Sequence, residues 1–344
     1  MNYSYDVAVL GATGAVGETM ISILAERGFP VGTLYPLASH RSAGTRIEFL
    51  GQHLMVRDVA DFDFSSVQIC LFSAGAGVSA EYAPRAAEEG CVVIDNTSQF
   101  RRDEDIPLVV PEVNPDEIAR FSNRGIIANP NCSTIQMVVA LKPLYDAVGI
   151  ERINVCTYQA VSGTGKKAIE ELARQSAALL SGQPIEDHIR AYPKQIAFNA
   201  LPHIDTFLDN GYTKEEMKMV WETKKILGDE SIQVNPTTVR IPVFYGHSEA
   251  VHIETRQKIT AEEARTLLEQ APGVVVLDER DDGGYPTAVT ESVDTDPVYV
   301  GRIREDISHP LGLNLWVVSD NIRKGAALNS VQIAELLIKV GLTH

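Results

Sequence analysis

Cys132 is the residue whose type and neighbours most strongly suggest chemistry. It lies in NPNCSTIQMVVAL (129–141), between an Asn-Pro-Asn turn and an apolar run that predicts a helix. The N–H groups and the dipole at the start of a helix favour a thiolate and can stabilise an oxyanion formed by its attack. The alternative is that Asn131 or Ser133 caps the helix and Cys132 is incidental. The local sequence favours neither interpretation.

The other three cysteines lie in apolar, strand-like runs. Cys70, Cys91 and Cys156 have mostly apolar neighbours on both sides. Residues of this kind are usually small buried groups rather than reactive thiols. We therefore expect all three to be buried.

A glycine-rich segment near the N-terminus predicts a dinucleotide site. GATGAVG (11–17) directly follows the apolar run DVAVL and opens a helix-like segment. Its glycines permit a tight turn, close approach of the backbone to a pyrophosphate, and close packing of helix on strand. The spacing is G-x-x-G-x-x-G, so a ligand-free turn is the alternative. The predicted cofactor residues here are Gly11, Ala12, Thr13, Gly14, Ala15, Val16 and Gly17.

The end of the second predicted strand indicates which dinucleotide binds. LASHRSAG (37–44) contains Ser39, Arg41 and Ser42 and no acidic residue. An NAD site usually has an acid here for the ribose 2′-hydroxyl, whereas an arginine and hydroxyls receive a 2′-phosphate. NADP is therefore the predicted cofactor. An exposed polar loop is the alternative.

A cysteine beside a nicotinamide site suggests aldehyde chemistry. A thiolate adds to an aldehyde, hydride leaves the resulting hemithioacetal for NADP, and an acceptor then captures the thioester. Such a thiolate needs a proton acceptor. His247 follows Gly246 in RIPVFYGHSEA, at a predicted strand–loop junction where side chains commonly point into a site. A loop histidine with a purely structural role is the alternative.

Hydrophobic periodicity predicts an α/β chain of two domains. Short apolar strands alternate with helices over the first 130 residues, the pattern of a parallel, Rossmann-type sheet; the strands include 6–11, 33–39, 68–75, 91–96, 108–114 and 125–129. Longer alternating runs then predict a second, α+β domain on a mixed, largely antiparallel sheet. The predicted boundaries are 1–131 for the dinucleotide-binding domain, 132–325 for the second domain, and 326–344 for a C-terminal helix packing back on the first. The second domain contains Cys132 and His247, and its broad apolar sheet segments would suit a subunit interface.

Composition excludes several classes of function. The 344 residues carry a net charge of −16, which argues against a nucleic-acid or anionic-membrane partner. No apolar run approaches a membrane span, and no signal-peptide or transit-peptide pattern is seen, so a cytoplasmic protein with free thiols is expected. No metal site is predicted.

The chain closely resembles bacterial aspartate-β-semialdehyde dehydrogenase. The motifs that carry the resemblance are NPNCSTIQ, GATGAVG, YQAVSGTGK, EEMK and VRIPVFYGHSE, and it extends to DNIRKGAALN (320–329). Glyceraldehyde-3-phosphate dehydrogenases carry a Ser-Cys-Thr-Thr-Asn type motif at the cysteine, and N-acetyl-glutamyl-phosphate reductases carry a glycine before it. Asn131 at that position fits the semialdehyde enzymes better.

The resemblance implies an activity. The family converts L-4-aspartyl phosphate and NADPH to L-aspartate 4-semialdehyde, phosphate and NADP, on the way to lysine, threonine, methionine and diaminopimelate. Its members usually form homodimers or homotetramers. The alternatives are a reductase of a related acyl phosphate, such as N-acetyl-glutamyl phosphate, and a non-catalytic NADP-binding paralogue.

The resemblance also implies residue roles. Cys132 forms the thioester, His247 is the acid/base, and Gln159 orients the carbonyl. Substrate-binding residues are Arg240 for the α-carboxylate, Glu215 for the amine, and Arg101, Asn131 and Lys218 for the phosphate. Further residues expected near the cofactor are Ser73, Ala74, Gly75, Ser162, Gly163 and Asn321. These charges agree with the chemistry, because a planar bidentate cation suits a carboxylate and an acid suits an amine.

Overall fold

The computed structural model describes residues 4–185 and 191–341. The chain divides into two compact units: residues 1–131 together with 326–344 form the first, and residues 132–325 form the second. Among the described residues, no helix is both long enough and apolar enough to cross a bilayer. The predicted surface excursion at 181–195 lies partly outside the described residues.

Fourteen strands and seven α-helices follow one another along the described chain. In the first part they are β1 (Tyr5–Leu10), α1 (Ala15–Glu26), β2 (Val31–Ala38), β3 (Arg46–Phe49), β4 (Gln52–Met55), β5 (Arg57–Asp58), β6 (Ile69–Phe72), α2 (Ala76–Glu88), β7 (Val92–Asp95) and β8 (Ile126–Ala128). In the second part they are α3 (Cys132–Val148), β9 (Ile150–Gln159), α4 (Lys166–Leu180), α5 (Lys214–Leu227), β10 (Gln233–Arg240), β11 (His247–Thr255), α6 (Ala261–Glu269), β12 (Val274–Val276), β13 (Val298–Glu305), β14 (Gly312–Ser319) and α7 (Leu328–Val340).

The first unit is built on a six-stranded sheet in the order β5-β2-β1-β6-β7-β8. Every neighbouring pair in it is parallel. β1, β6 and β7 are almost completely buried, which is why they read as continuous apolar runs rather than as alternating ones. The predicted Rossmann-type sheet is confirmed.

The strand predicted at 108–114 is wrong. Only Leu108 forms a bridge there, to Ala128. Pro111 has no N–H to give to a ladder, and the Asn114 side chain accepts from Val110 N–H and donates to the Leu108 carbonyl. The segment therefore closes into a turn instead of extending the sheet.

The C-terminal helix α7 packs within the first unit against α1, β6 and β7. Val331, Ile333 and Leu337 are buried in the same apolar core as the side chains of β1 and α1. Val340 is 52% exposed because it is the last residue of the helix.

The second unit contains another six-stranded sheet, ordered β10-β9-β11-β14-β13-β12. The outer pairs β10–β9 and β12–β13 are parallel and the three central pairs are antiparallel, as the predicted mixed sheet requires. α3 packs against four of its strands, β9, β11, β13 and β14, while α5 packs on β10 and α6 on β12 and β13. β10 ends at Arg240, so 241–246 is the loop that leads to His247.

Burial alternates along β9, and this corrects one prediction about cysteine. Cys70 and Cys91 are buried as expected, but Cys156 is only partly buried. Its side chain alternates with those of Val155 and Thr157, which are buried. Cys156 therefore lies on the face of the sheet opposite to those two residues.

Candidate active site

The glycine-rich turn lies between β1 and α1 in the first unit. Gly11 has a φ of +87°, and a Cβ at this position would lie 2.9 Å from the carbonyl carbon of Ser73. A Cβ on Gly17 would lie 2.2 Å from the Gly11 carbonyl oxygen. Two of the three glycines are therefore required by close backbone packing. The third, Gly14, is the N-cap of α1 and brings no side chain to the helix N-terminus.

A second turn of the first unit lies beside this one. Ser73 follows β6 and donates both its N–H and its hydroxyl to the Leu10 carbonyl, at 2.9 and 3.2 Å. Gly75 has a φ of +102° and is the N-cap of α2, with no atom within 4 Å of a Cβ built there. The predicted cofactor residues Ser73, Ala74 and Gly75 thus line a turn that is tied to the end of β1.

The turn after β2 holds Ser39, Arg41 and Ser42. Ser42 N–H donates to the Ser39 carbonyl at 2.9 Å, and Arg41 is exposed. The structure also brings an acid here that the local sequence did not show, because β5 pairs with β2 and places Asp58 beside Ala38. The Asp58 carboxylate is already engaged, accepting from Ala60 N–H at 3.1 Å and lying 3.0 Å from His40 Nδ1.

Arg101 and Asn131 are the predicted substrate residues of the first unit. Arg101 is 8% exposed and donates through Nη2 to the Asn96 carbonyl at 2.9 Å. Asn131 is buried and immediately precedes Cys132 in the chain. Both are held in place by burial rather than carried on a mobile surface.

Cys132 is the first residue of α3, as its sequence predicts, and it is partly exposed. Gly325 packs directly against it: a Cβ at Gly325 would lie 2.7 Å from Cys132 Cβ and 3.2 Å from its Cα. Only glycine fits this position without displacing the cysteine.

His247 and Arg240 are held by the same residue, Ala160. Ala160 N–H donates to His247 Nδ1 at 3.0 Å, and the Ala160 carbonyl accepts from Arg240 Nη1 at 2.6 Å. His247 is fully buried and Arg240 is 4% exposed. His247 Nε2 and Arg240 Nε have no hydrogen-bond partner among the described residues, so both side chains keep a polar atom for a ligand.

The environment of His247 keeps its ring neutral. Burial is the main cause that lowers its imidazole pKa to about 3, and the positive charge of Arg240 acts in the same direction. Glu215 and the Gly246 carbonyl favour the protonated ring but are outweighed. Because Ala160 N–H occupies Nδ1, the proton of the neutral ring is on Nε2.

Gln159, Glu215 and Lys218 form one hydrogen-bonded chain. Glu215 accepts from Gln159 Nε2 at 3.3 Å and from Lys218 Nζ at 3.0 Å. Lys218 also donates to Asp205 at 2.8 Å. Burial alone would lower the pKa of Lys218, but the carboxylates of Glu215 and Asp205 outweigh it and raise that pKa.

The three predicted cofactor residues of the second unit surround the loop that leads to His247. The Asn321 side chain accepts from Gly246 N–H at 2.8 Å and donates to Ser162 Oγ at 3.0 Å. A Cβ at Gly163 would lie 3.1 Å from Arg240 Nη1 and 3.4 Å from His247 Nε2. Asn321 thus fixes the backbone before His247, and Gly163 leaves room beside its ring.

The second unit therefore brings together most of the predicted catalytic residues. His247 and Arg240 meet at Ala160, while Gln159, Glu215 and Lys218 share a chain of hydrogen bonds. Ala160, Asp205 and Gly325 also contact these candidate residues, and the sequence reasoning missed them. Ala160 acts through its backbone, and Asp205 lies 13 residues from its partner Lys218, so neither leaves a signal in spacing. Among the described residues, no group of three potential metal ligands is found.

Comparison with known proteins assigns the family. Residues 6–121 match the family profile "Semialdehyde dehydrogenase, NAD binding domain", and residues 141–324 match "Semialdehyde dehydrogenase, dimerisation domain". The aspartate-semialdehyde dehydrogenase of Shewanella violacea is 66% identical over 98% of this chain and 99% of that protein.

Solved structures agree with this assignment. Aspartate semialdehyde dehydrogenase II of Vibrio cholerae, complexed with ASA, is 61% identical with a TM-score of 0.97, over 99% of this chain and 100% of that one. The Candida albicans enzyme, solved with NADP, is 28% identical with a TM-score of 0.75, over 98% and 99% of the two chains. The chain belongs to the aspartate-semialdehyde dehydrogenase family of oxidoreductases.

Proposed function

We propose that this enzyme uses NADPH to reduce L-4-aspartyl phosphate reversibly to L-aspartate 4-semialdehyde and phosphate. The step feeds the biosynthesis of lysine, threonine, methionine and diaminopimelate, and we place it in the cytoplasm, where Cys132 stays reduced. The observation that carries the proposal is the pairing of His247 and Arg240 on Ala160, in the same unit as Cys132 and Glu215.

The charges of the second unit suit the substrate. Arg240 is buried, positively charged and has a free Nε, so it can receive the α-carboxylate. Glu215 offers a buried carboxylate for the amine, and Lys218 a cation for the phosphate. The charge of Lys218 is already offset by the carboxylates of two neighbouring residues, so Lys218 alone is a weak phosphate ligand. We therefore propose that Arg101 and Asn131 supply further phosphate contacts. A relative solved with ASA supports the proposed substrate, and a relative solved with NADP supports the proposed cofactor.

Cys132 is the proposed nucleophile. Its thiolate attacks the acyl carbon, the oxygen becomes an oxyanion stabilised at the start of α3, and phosphate leaves with the bonding electrons to give a thioester. Gln159, fixed by Glu215, orients the carbonyl. When the aldehyde departs, sulfur must regain a proton.

His247 is the proposed proton carrier, but only in the complex. A ring with a pKa of about 3 is neutral in the free enzyme, and burial and Arg240 are the causes. The substrate carboxylate would offset the charge of Arg240 and so favour the protonated ring. In the protonated ring Nδ1 carries a proton, so it can no longer accept from Ala160 N–H and needs a hydrogen-bond acceptor instead. The Gly246 carbonyl already favours the protonated ring.

NADP fits the turns of the first unit. The glycines at 11 and 17 leave no room for a side chain, and Gly75 and Gly14 expose helix N-termini to a pyrophosphate. We propose that Arg41, Ser39 and Ser42 bind the 2′-phosphate. Ser162, Gly163 and Asn321 are proposed to lie near the nicotinamide, which supplies the hydride that reduces the thioester.

A side-by-side assay tests the substrate. Wild type should reduce aspartyl phosphate and not N-acetyl-glutamyl phosphate, which has no free amine for Glu215. Glu215→Gln should raise the KM for aspartate semialdehyde about tenfold or more, because a charged hydrogen bond contributes about 1.5–3 kcal/mol. Equal activity on both acyl phosphates would contradict the proposal.

We also propose that two copies associate through the open face of the second sheet. The match to a dimerisation domain at 141–324 supports this. Tyr158 and Trp316 lie on that face, half-buried, with ring centroids 5.6 Å apart. Trp316→Glu should shift the sedimentation coefficient from dimer or tetramer to monomer. An unchanged coefficient would place the interface elsewhere.

A further inference from the structure

Glu249 is a buried acid that the proposed reaction does not use. It lies two residues after His247 on β11, so both side chains point to the same face of the sheet. That face is covered by α3, which begins at Cys132. Glu249 is 0% exposed, although it carries a titratable group.

Gln136 faces Glu249 from α3. It lies one helical turn after Cys132, on the same side of the helix, and is also 0% exposed. Its amide is close enough to favour the ionised form of the Glu249 carboxyl. Within the part of the chain that the structure describes, the two carboxyl oxygens and both polar atoms of the amide lack a well-formed hydrogen bond.

Glu249 belongs to a polar layer directly below the site. In the sheet register, Thr157 of β9 is paired with Glu249 on one side and with Thr238 of β10 on the other. Thr157 in turn accepts from Gln159 at 3.2 Å. Three residues of the proposed site lie two positions away on the same strands: Arg240 after Thr238, Gln159 after Thr157, and His247 before Glu249.

Among the described residues, none of the cations offsets the burial of the Glu249 carboxyl. The residues facing it are Thr157 from β9, Val317 from β14 and Gln136 from α3. The titratable residues that share this face are His247 on its own strand, Arg240 on β10 and Cys132 at the start of α3. Burial raises the pKa of Glu249 well above its ordinary range, and the Gln136 amide offsets this only in part. Burial therefore favours the protonated, uncharged carboxyl over the carboxylate.

We propose that Glu249 is a positioning residue for Cys132, acting as an uncharged acid that forms a two-hydrogen-bond pair with the Gln136 side-chain amide. In this pair the acid O–H donates to the amide oxygen, and the amide N–H donates to the acid carbonyl. The pair fixes α3 on β11 in one rotation and one register. Because Cys132 lies one turn away, that register sets the position of its sulfur relative to His247.

The chemistry of the pair determines the test variants. Glu249→Gln replaces the acid by an amide, which can still donate one hydrogen bond to the Gln136 amide and accept one from it. Glu249→Leu and Gln136→Leu each remove one half of the pair. The double variant removes both polar partners and should fold even where a single variant does not, because no polar group is left unpaired. Thr223→Val is the control, since Thr223 is an equally buried polar residue on α5 without a hydroxyl partner among the described residues.

Two readouts separate positioning from folding. One is the rate at which iodoacetamide alkylates Cys132 across pH, followed on its own peptide by mass spectrometry, which needs no substrate. The other is kcat and KM for aspartate semialdehyde. We expect Glu249→Leu and the double variant to lower kcat about tenfold or more at nearly unchanged KM and to shift the alkylation midpoint. Glu249→Gln and Thr223→Val should match wild type in both.

The outcomes are distinguishable from failure of the proposed function. If Glu249→Leu and the double variant keep the wild-type kcat and alkylation profile, the positioning role is wrong. If Glu249→Gln lowers kcat and shifts the alkylation midpoint as much as Glu249→Leu does, the site requires a charged Glu249 rather than an uncharged pair. The proposal is then also overturned. A wild type that lacks dehydrogenase activity but alkylates normally would overturn only the function, since the alkylation comparison still stands.

Discussion

Gly325→Ala tests whether the position of Cys132 is set by close packing. The added Cβ would lie 2.7 Å from Cys132 Cβ, whereas carbon atoms in contact are normally about 3.5 Å or more apart. The two segments must therefore separate by about 0.8 Å. A displacement of about 1 Å at a reacting group lowers turnover on the order of a hundredfold, so kcat should fall by that factor. NADP affinity should be nearly unchanged, because the glycine-rich turn is untouched.

The matched control for this variant is Gly77→Ala. Gly77 lies in α2, where a Cβ would meet no atom within 4 Å. Alanine should improve helix propensity there by roughly 0.5–1 kcal/mol and leave kcat at saturating NADP unchanged. The assay is steady-state turnover of aspartate semialdehyde with thermal unfolding of each variant in parallel. A folded Gly325→Ala enzyme with wild-type kcat would refute the packing argument.

Three further predictions concern charge. Arg41→Ala should raise the KM for NADP about tenfold and leave that for NAD nearly unchanged; an unaltered NADP/NAD ratio would exclude Arg41 from the 2′-phosphate site. NMR of the free enzyme should show His247 neutral from about pH 5 to 9, and Arg240→Met should raise its pKa, which is about 3 in the wild type. Burial raises the pKa of Glu249 in the folded state, so the stability that this group contributes at low pH is lost as pH rises above its ordinary pKa. In denaturant titrations, the free energy of unfolding of Glu249→Gln should increase relative to wild type by about 1.4 kcal/mol per pH unit above pH 5. A pH-independent difference would mean that Glu249 is ionised in the folded state.

The sequence predicts those parts of the molecule whose signals are local. Continuous apolar runs identified the parallel sheet, because strands buried on both faces have no polar side to alternate with. The helix start at Cys132 follows from its Asn-Pro-Asn turn. Where a local feature competes with periodicity the prediction is wrong, as at Pro111 and Asn114, whose turn chemistry overrides an apolar run.

Features that depend on long-range pairing have no such signal. Asp58 reaches the end of β2 only through the two-residue strand β5. Ala160 contributes through its peptide group, which any residue type would provide. The charged residue type of Glu249 suggests exposure, and the packing of α3 on β11 explains why this acid is buried.

The central claim is that Cys132 forms a thioester with the acyl group, which it takes from the acyl phosphate and, in the reverse reaction, returns to phosphate. The most direct measurement is NADPH formation from aspartate semialdehyde and NADP, with and without phosphate, for wild type and Cys132→Ser. We predict phosphate-dependent NADPH formation by wild type and a rate lower by at least about a thousandfold for the folded variant. Near-normal turnover by Cys132→Ser, or a wild-type rate that does not depend on phosphate, would contradict the account.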